Sequence, residues 1–166
     1  MWVVGDGKLG QLVAQTLAIT GCDLLVIRRH KDKIANLTAR GIKTGFTDAV
    51  KDRAFDISFD ISVDCTGNPS GLELARRGLR SRGTLVLKST YAGNLSLDAS
   101  SLVVDEITMI GSRCGYFPPA LELLAEEKVD VKPLLIQARY PLTAGIEAFD
   151  KAPTKGVLKV LLEVDS

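Results

Sequence analysis

The chain has 166 residues, of which 46% are hydrophobic and 25% charged, and its formal net charge is +1. That length builds one domain with a real core plus an added flap, and hardly two full domains. The near-neutral balance excludes a global pull toward nucleic acid or membrane, no apolar run approaches a membrane helix, and no signal-peptide pattern is read at the N-terminus. A cytoplasmic protein is the expectation. Cys22, Cys65 and Cys114 are odd in number, scattered and without CxxC spacing, and His30 is the single histidine. This predicts reduced thiols, no disulfide framework and no zinc or other metal site.

Met1-Trp2-Val3-Val4 reads as a strand running into the loop Gly5-Asp6-Gly7-Lys8-Leu9-Gly10. Leu9, Leu12, Val13, Thr16 and Leu17 then repeat at the spacing of one helix face until Gly21. A second strand, Leu24-Leu25-Val26-Ile27, completes a β-turn-α-β unit within about thirty residues. In such a unit the first glycine permits the tight turn, the second leaves room for a pyrophosphate, and the third lets the helix close on the sheet. The free amides at the helix start face the phosphates. Gly5, Asp6, Gly7, Lys8, Leu9 and Gly10 are therefore candidate dinucleotide contacts, against the alternative of a purely structural turn.

Further along, Lys31 to Arg40 reads as a short helix stopped by Gly41, and Ile42-Lys43-Thr44 as a brief third strand. Ile57 to Asp64 forms a fourth strand, followed by the glycine turn Cys65-Thr66-Gly67-Asn68 and a helix with Pro69 near its first position. Gly83 releases a fifth strand, Thr84 to Lys88. Asn94 to Val104 reads as a connection without strong periodicity, and Ile107 to Gly111 as a sixth strand. Pro118-Pro119 opens a helix through Leu121, Leu124 and Ala125. Strands alternating with helices predict a Rossmann-type α/β fold, a doubly wound six-stranded parallel sheet, spanning residues 1–132. Residues 133–166 add a tail: a strand from Leu134 to Tyr140, a helix from Thr143 to Lys151 and a strand from Val157 to Val164. The tail is apolar enough to need a partner surface.

Arg28-Arg29-His30 ends the second strand, where an enzyme using NAD usually presents an acidic residue to the ribose. A guanidinium matches a phosphate through two parallel hydrogen bonds, so this pair favours the 2′-phosphate of NADP, with His30 stacking or bonding alongside. NAD stays possible, because both arginines could instead start a solvated basic helix with Lys31 and Lys33. Arg76, Arg77, Arg80 and Arg82 read as a wet helix face, and Cys114 as a buried inert thiol.

Taken together, Val3-Val4-Gly5-Asp6-Gly7-Lys8-Leu9-Gly10, Val63-Asp64-Cys65-Thr66-Gly67-Asn68-Pro69, Gly83-Thr84-Leu85-Val86-Leu87 and Ile107-Thr108-Met109-Ile110-Gly111-Ser112 resemble the cofactor-binding half of the medium-chain dehydrogenases and reductases, the zinc-type alcohol dehydrogenase superfamily. Tyr140-Pro141-Leu142 and Gly156 to Leu162 resemble its usual C-terminus. The resemblance implies Thr66 and Gly67 near the adenosine and Lys88 and Ser89 near the nicotinamide, with Ser112 at the next strand end. For each, an ordinary polar loop is the alternative. It also implies a homodimer through the sixth-strand edge. Full-length members carry an N-terminal zinc-binding catalytic domain that is not recognised here, so the expectation is an NADP-binding domain, inactive alone, without its catalytic half. Its partners are a dinucleotide and a separate catalytic domain, with no nucleic acid and no membrane. A non-enzymatic NAD(P) sensor is the rival, and a methyltransferase is disfavoured because it too wants an acid after the second strand.

Overall fold

The computed structural model describes residues 1–28, 35–47, 58–135, 138–154, 157 and 159–164. They fall into two compact units, Met1–Val129 and Asp130–Ser166. In the first, β1 (Trp2–Val4), α1 (Lys8–Ala18), β2 (Leu25–Arg28), α2 (Ala35–Ala39) and β3 (Lys43–Phe46) are followed by β4 (Phe59–Asp64), α3 (Pro69–Arg77) and β5 (Leu79–Leu87). The unit ends with α4 (Ala99–Val104), β6 (Thr108–Gly111) and α5 (Phe117–Ala125). All strand pairings are parallel, in the order β3-β2-β1-β4-β5-β6. This is the doubly wound arrangement, with its crossover between β1 and β4.

Period-two alternation sends neighbouring side chains to opposite faces of the sheet, and both faces are covered. Trp2, Val4, Ile27 and Leu85 pack with Leu72 and Ala75 of α3, whereas Val3, Val26 and Val63 pack with Ala14 of α1 and Leu37 of α2. Trp2 is 1% exposed and stacks on Phe59 with ring centroids 5.0 Å apart. Its ring explains why α3 ends on glycine: a Cβ on Gly78 would lie 1.9 Å from Trp2 Cζ2.

Three expectations need correction in this unit. The stretch expected to be a plain connection contains α4, a helix too short to show periodicity but capped by Asp98, which accepts from the amides of Ser100 (3.1 Å) and Ser101 (3.4 Å). Next, β5 starts at Leu79, and its register against β4 jumps from Phe59↔Leu79 to Ile61↔Thr84. Arg80 and Arg82 therefore lie on the strand side of that irregularity, and the four arginines do not share a helix face. Arg82 takes φ +62° and gives its amide to Asp105 O (2.8 Å). Each of three arginines has an acid: Arg76 pairs with Asp105, Arg80 with Asp60 and Arg82 with Glu106. Finally, Cys114 is exposed, not buried.

The second unit holds α6 (Lys132–Leu135), β7 (Ala138–Pro141), a 3-10 turn (Leu142–Ala144), α7 (Gly145–Lys151) and β8 (Val160–Glu163). β7 and β8 form a two-stranded parallel sheet, and Arg139 bonds Glu163 across it (3.0 Å). Leu134 and Leu135 are helical where a strand was expected. Asp130 Oδ1 accepts from the amide of Lys132 (3.0 Å), a local cap that starts the turn. The last strand begins at Val160, not Val157. Among the described residues no helix is long and apolar enough to cross a membrane.

Candidate functional site

Because the strands of the six-stranded sheet are parallel, their C-terminal ends share one edge, and the loops after β1, β4, β5 and β6 gather there. The glycine loop divides into two kinds of glycine. Gly5 has φ +126°, and a Cβ there would lie 2.9 Å from Cys65 O; a Cβ on Gly10 would lie 2.1 Å from Gly5 O. Both are demanded by the fold. A Cβ on Gly7 would meet nothing within 4 Å, and Gly7 has an ordinary φ of −71°.

Gly7 is also the N-cap of α1, with no capping side chain, and the first turn carries no acid. The ladder begins with Gln11 N on Gly7 O (3.0 Å), so the amides of Lys8, Leu9 and Gly10 precede it. The positive end of an eleven-residue helix thus opens beside the space over Gly7. Asp6 is 8% exposed, and its carbonyl accepts from Gln11 Nε2 (3.1 Å), which fixes the loop to the helix. Lys8 is exposed, whereas Leu9 packs into the core on the α1 side. Arg28 closes β2, its backbone paired with Phe46. Its side chain, Arg29 and His30 lie outside the described residues.

Across the crossover, the polar groups are engaged by the protein itself. Asp64 is fully buried at the end of β4. Its Oδ1 accepts from Thr66 N (3.1 Å) and Thr66 Oγ1 (2.6 Å), and its Oδ2 from the Tyr91 hydroxyl. The Thr66 amide and hydroxyl are therefore both turned inward, leaving the exposed Gly67 at the edge. Asn68 caps α3 by accepting from Gly71 N (2.9 Å). Lys88 Nζ donates to Ser112 Oγ (3.3 Å) and to the carbonyl of Arg113, joining the ends of β5 and β6. Ser89 Oγ reaches Asp64 O at 3.5 Å. Asp64 and Tyr91 were not among the expected site residues. An acid closing an apolar strand two residues before a threonine was the one available sign, and nothing local points to Tyr91. A separate cavity of about 300 Å³ lies between α3, β5 and α4, and no glycine-loop residue lines it.

A zinc site needs converging ligands with deprotonated thiols. Among the described residues no three His, Cys, Asp or Glu side chains form such a group. Burial, with the nearby Asp64 charge, pushes the Cys65 thiol up to about 12, the wrong direction for a ligand. The described residues bring no zinc ligand set together, whereas the open position at Gly7, at the uncapped start of α1, fits a phosphate-bearing cofactor.

A family model described as zinc-binding dehydrogenase matches residues 9–126. Sorbitol dehydrogenase of Mus musculus is 34% identical over 105 residues, covering 61% of this chain and 29% of that protein. A zinc-binding dehydrogenase of Sinorhizobium meliloti, bound to NADP, superposes with a TM-score of 0.77 at 18% identity over 97% of this chain and 51% of that one. A protein of E. coli described as a short chain alcohol dehydrogenase, complexed with NADH, superposes with a TM-score of 0.78 at 16% identity over the same shares. At those identities the structures speak for the fold alone, and the chain spans about half their length. With the match running from the start of α1 to the end of α5, this chain belongs to the zinc-binding dehydrogenase family and carries its dehydrogenase cofactor-binding domain.

Proposed function

We propose that this chain binds NADP(H) across the C-terminal edge of its six-stranded sheet, as the cofactor-binding part of an alcohol dehydrogenase-like oxidoreductase whose zinc and substrate contacts come from a catalytic domain outside these residues. The observation that carries the reading is Gly7. The fold has no steric need of a glycine there, yet a side chain would enter the space in front of the α1 amides. In this reading the pyrophosphate lies over Gly7, held by the amides of residues 8–10. Arg28 and Arg29, with His30, meet the 2′-phosphate, since arginine and not an acid closes β2 where a free ribose hydroxyl would be taken. The backbone at Thr66-Gly67 faces the adenosine, and Lys88, Ser89 and Ser112 order the nicotinamide side. When bound, the nicotinamide supplies hydride exchange with an alcohol or carbonyl carbon.

Residues 1–132 hold the cofactor in this proposal, and residues 133–166 join the catalytic domain. Leu142, Ile146 and Phe149 are exposed at helical spacing and give the tail an apolar stripe for that junction. The protein is cytoplasmic and dimerises through β6. Calorimetric titration of the purified chain with NADP and NAD tests the central claim. Saturable binding is expected, with NADP tighter by about tenfold, a difference near 1.4 kcal/mol. No binding of either nucleotide removes the proposal, and equal affinities remove the NADP preference.

A further inference from the structure

We infer that Asp64 and Tyr91 are positioning residues for the ligand: the buried Asp64 carboxylate clasps the turn after β4 and the loop after β5, setting the distance between two parts of the cleft that a whole dinucleotide must span. This rests on the proposed reading of the cleft as a dinucleotide site.

Two independent observations support the clasp. The first is the hydrogen bonding. Asp64 sits fully buried where β4 ends, and its two oxygens serve different loops, Oδ1 taking the amide and hydroxyl of Thr66 and Oδ2 the Tyr91 hydroxyl. A buried carboxylate tolerates burial only when its oxygens are occupied, so each loop is held by the cost of releasing it. The second is backbone packing. Gly67 has φ +67°, and a Cβ there would lie 3.3 Å from Thr90 O, so the turn after β4 rests against the residue preceding Tyr91. Gly71 in α3 completes the fit, since a Cβ there would lie 2.0 Å from Thr66 Oγ1. Burial, together with the Asp64 hydrogen bond, holds the Tyr91 phenol above its ordinary range, so it stays a donor at every working pH.

A ligand touching one loop is indifferent to their separation, whereas a ligand touching both is not. Tyr91→Phe keeps the ring in the core and deletes only the donor. The expected result is a loss of NADPH affinity of about fivefold or more, read from nicotinamide fluorescence, with 2′,5′-ADP affinity changed less than about twofold. The isosteric Thr66→Val, which removes the other hydroxyl from the same carboxylate, should act in the same direction and combine non-additively with Tyr91→Phe. Equal losses for NADPH and 2′,5′-ADP would mean a merely structural bond and overturn the inference, as would no loss at all. Failure of the unmodified chain to bind either nucleotide is a different outcome: it removes the dinucleotide reading, and the positioning role with it.

Discussion

The two flanks of the sheet treat their polar and apolar groups in opposite ways. On the β1–α1 flank the helix opens without a capping side chain or a first-turn acid, and a Cβ on Gly7 would meet no described atom within 4 Å. On the β4–β5–β6 flank the corresponding groups are engaged: Asp64 holds Thr66 and Tyr91, Asn68 caps α3, and Lys88 binds the end of β6. There it is apolar side chains that stay uncovered, with Val103, Val104, Ile110, Tyr116, Phe117 and Leu121 all exposed. A flank that leaves donors open suits a small anion, and a flank that leaves hydrocarbon open suits another protein surface.

The largest test of this contrast is a pair of glycine substitutions. Gly7→Val should abolish nucleotide binding while the circular dichroism spectrum stays put and the melting temperature falls only by the small cost of a poorer helix cap, because a Cβ there would meet nothing within 4 Å. Gly10→Ala should do the reverse first: a methyl 2.1 Å from Gly5 O must displace backbone, costing about 3 kcal/mol of stability. If Gly7→Val still binds, the open flank is not the phosphate site. Thiol chemistry sharpens the contrast next. Cys65 lies between the flanks with its thiol pushed from 9.0 to about 12, so near pH 8 it carries roughly a thousandfold less thiolate than an ordinary thiol. Mass spectrometry after brief alkylation should find exposed Cys114 labelled and Cys65 intact, and early Cys65 labelling would contradict its burial. The same shift has a sign for stability. A thiol with a raised folded pKa contributes fully below 9.0, and its contribution falls by up to about 1.4 kcal/mol per pH unit between 9.0 and about 12.

Much of this was legible in the residues. The six strands, the glycine loop and the Pro69 helix start all followed from period, glycine placement and capping chemistry, because those signals are local. What escaped was non-local or too short to repeat. α4 is six residues long and shows itself only through the Asp98 cap. The Asp64–Tyr91 bond joins residues 27 apart, so only the sheet order makes it visible. The exposure of Cys114 and the split of the arginines between α3 and β5 depend on where elements end, the feature that propensity constrains least.

The arginine pair tests a finer property of the open flank. Replacing Arg28 and Arg29 with alanine should erase an NADP preference of about tenfold, near 1.4 kcal/mol, and leave NAD affinity nearly unchanged. The reason is that the proposed pyrophosphate contacts come from α1, not from β2. Titration calorimetry with both nucleotides reads the two effects separately. A matching loss for NAD would place the arginines on the pyrophosphate instead of the 2′-phosphate.

The smallest expected effect concerns the apolar flank. β6 ends the six-stranded sheet, and its outer edge offers backbone groups for pairing, with Ile110 about half exposed on it. A second copy of the chain placed against that edge by a two-fold axis would continue the sheet and cover hydrocarbon from both partners. A charge on the edge opposes this without disturbing the β5–β6 ladder, since it changes the side chain and leaves the backbone alone. Ile110→Lys should therefore weaken the dimer about fivefold while affinity for 2′,5′-ADP, whose proposed contacts follow β2 and β4, stays the same. Light scattering over a concentration series measures the first and calorimetry the second. A wild-type chain that stays monomeric at high concentration removes the dimer, and an Ile110→Lys dimer of unchanged strength moves the contact off β6, leaving the exposed residues of α4 and α5 as the next surface to alter.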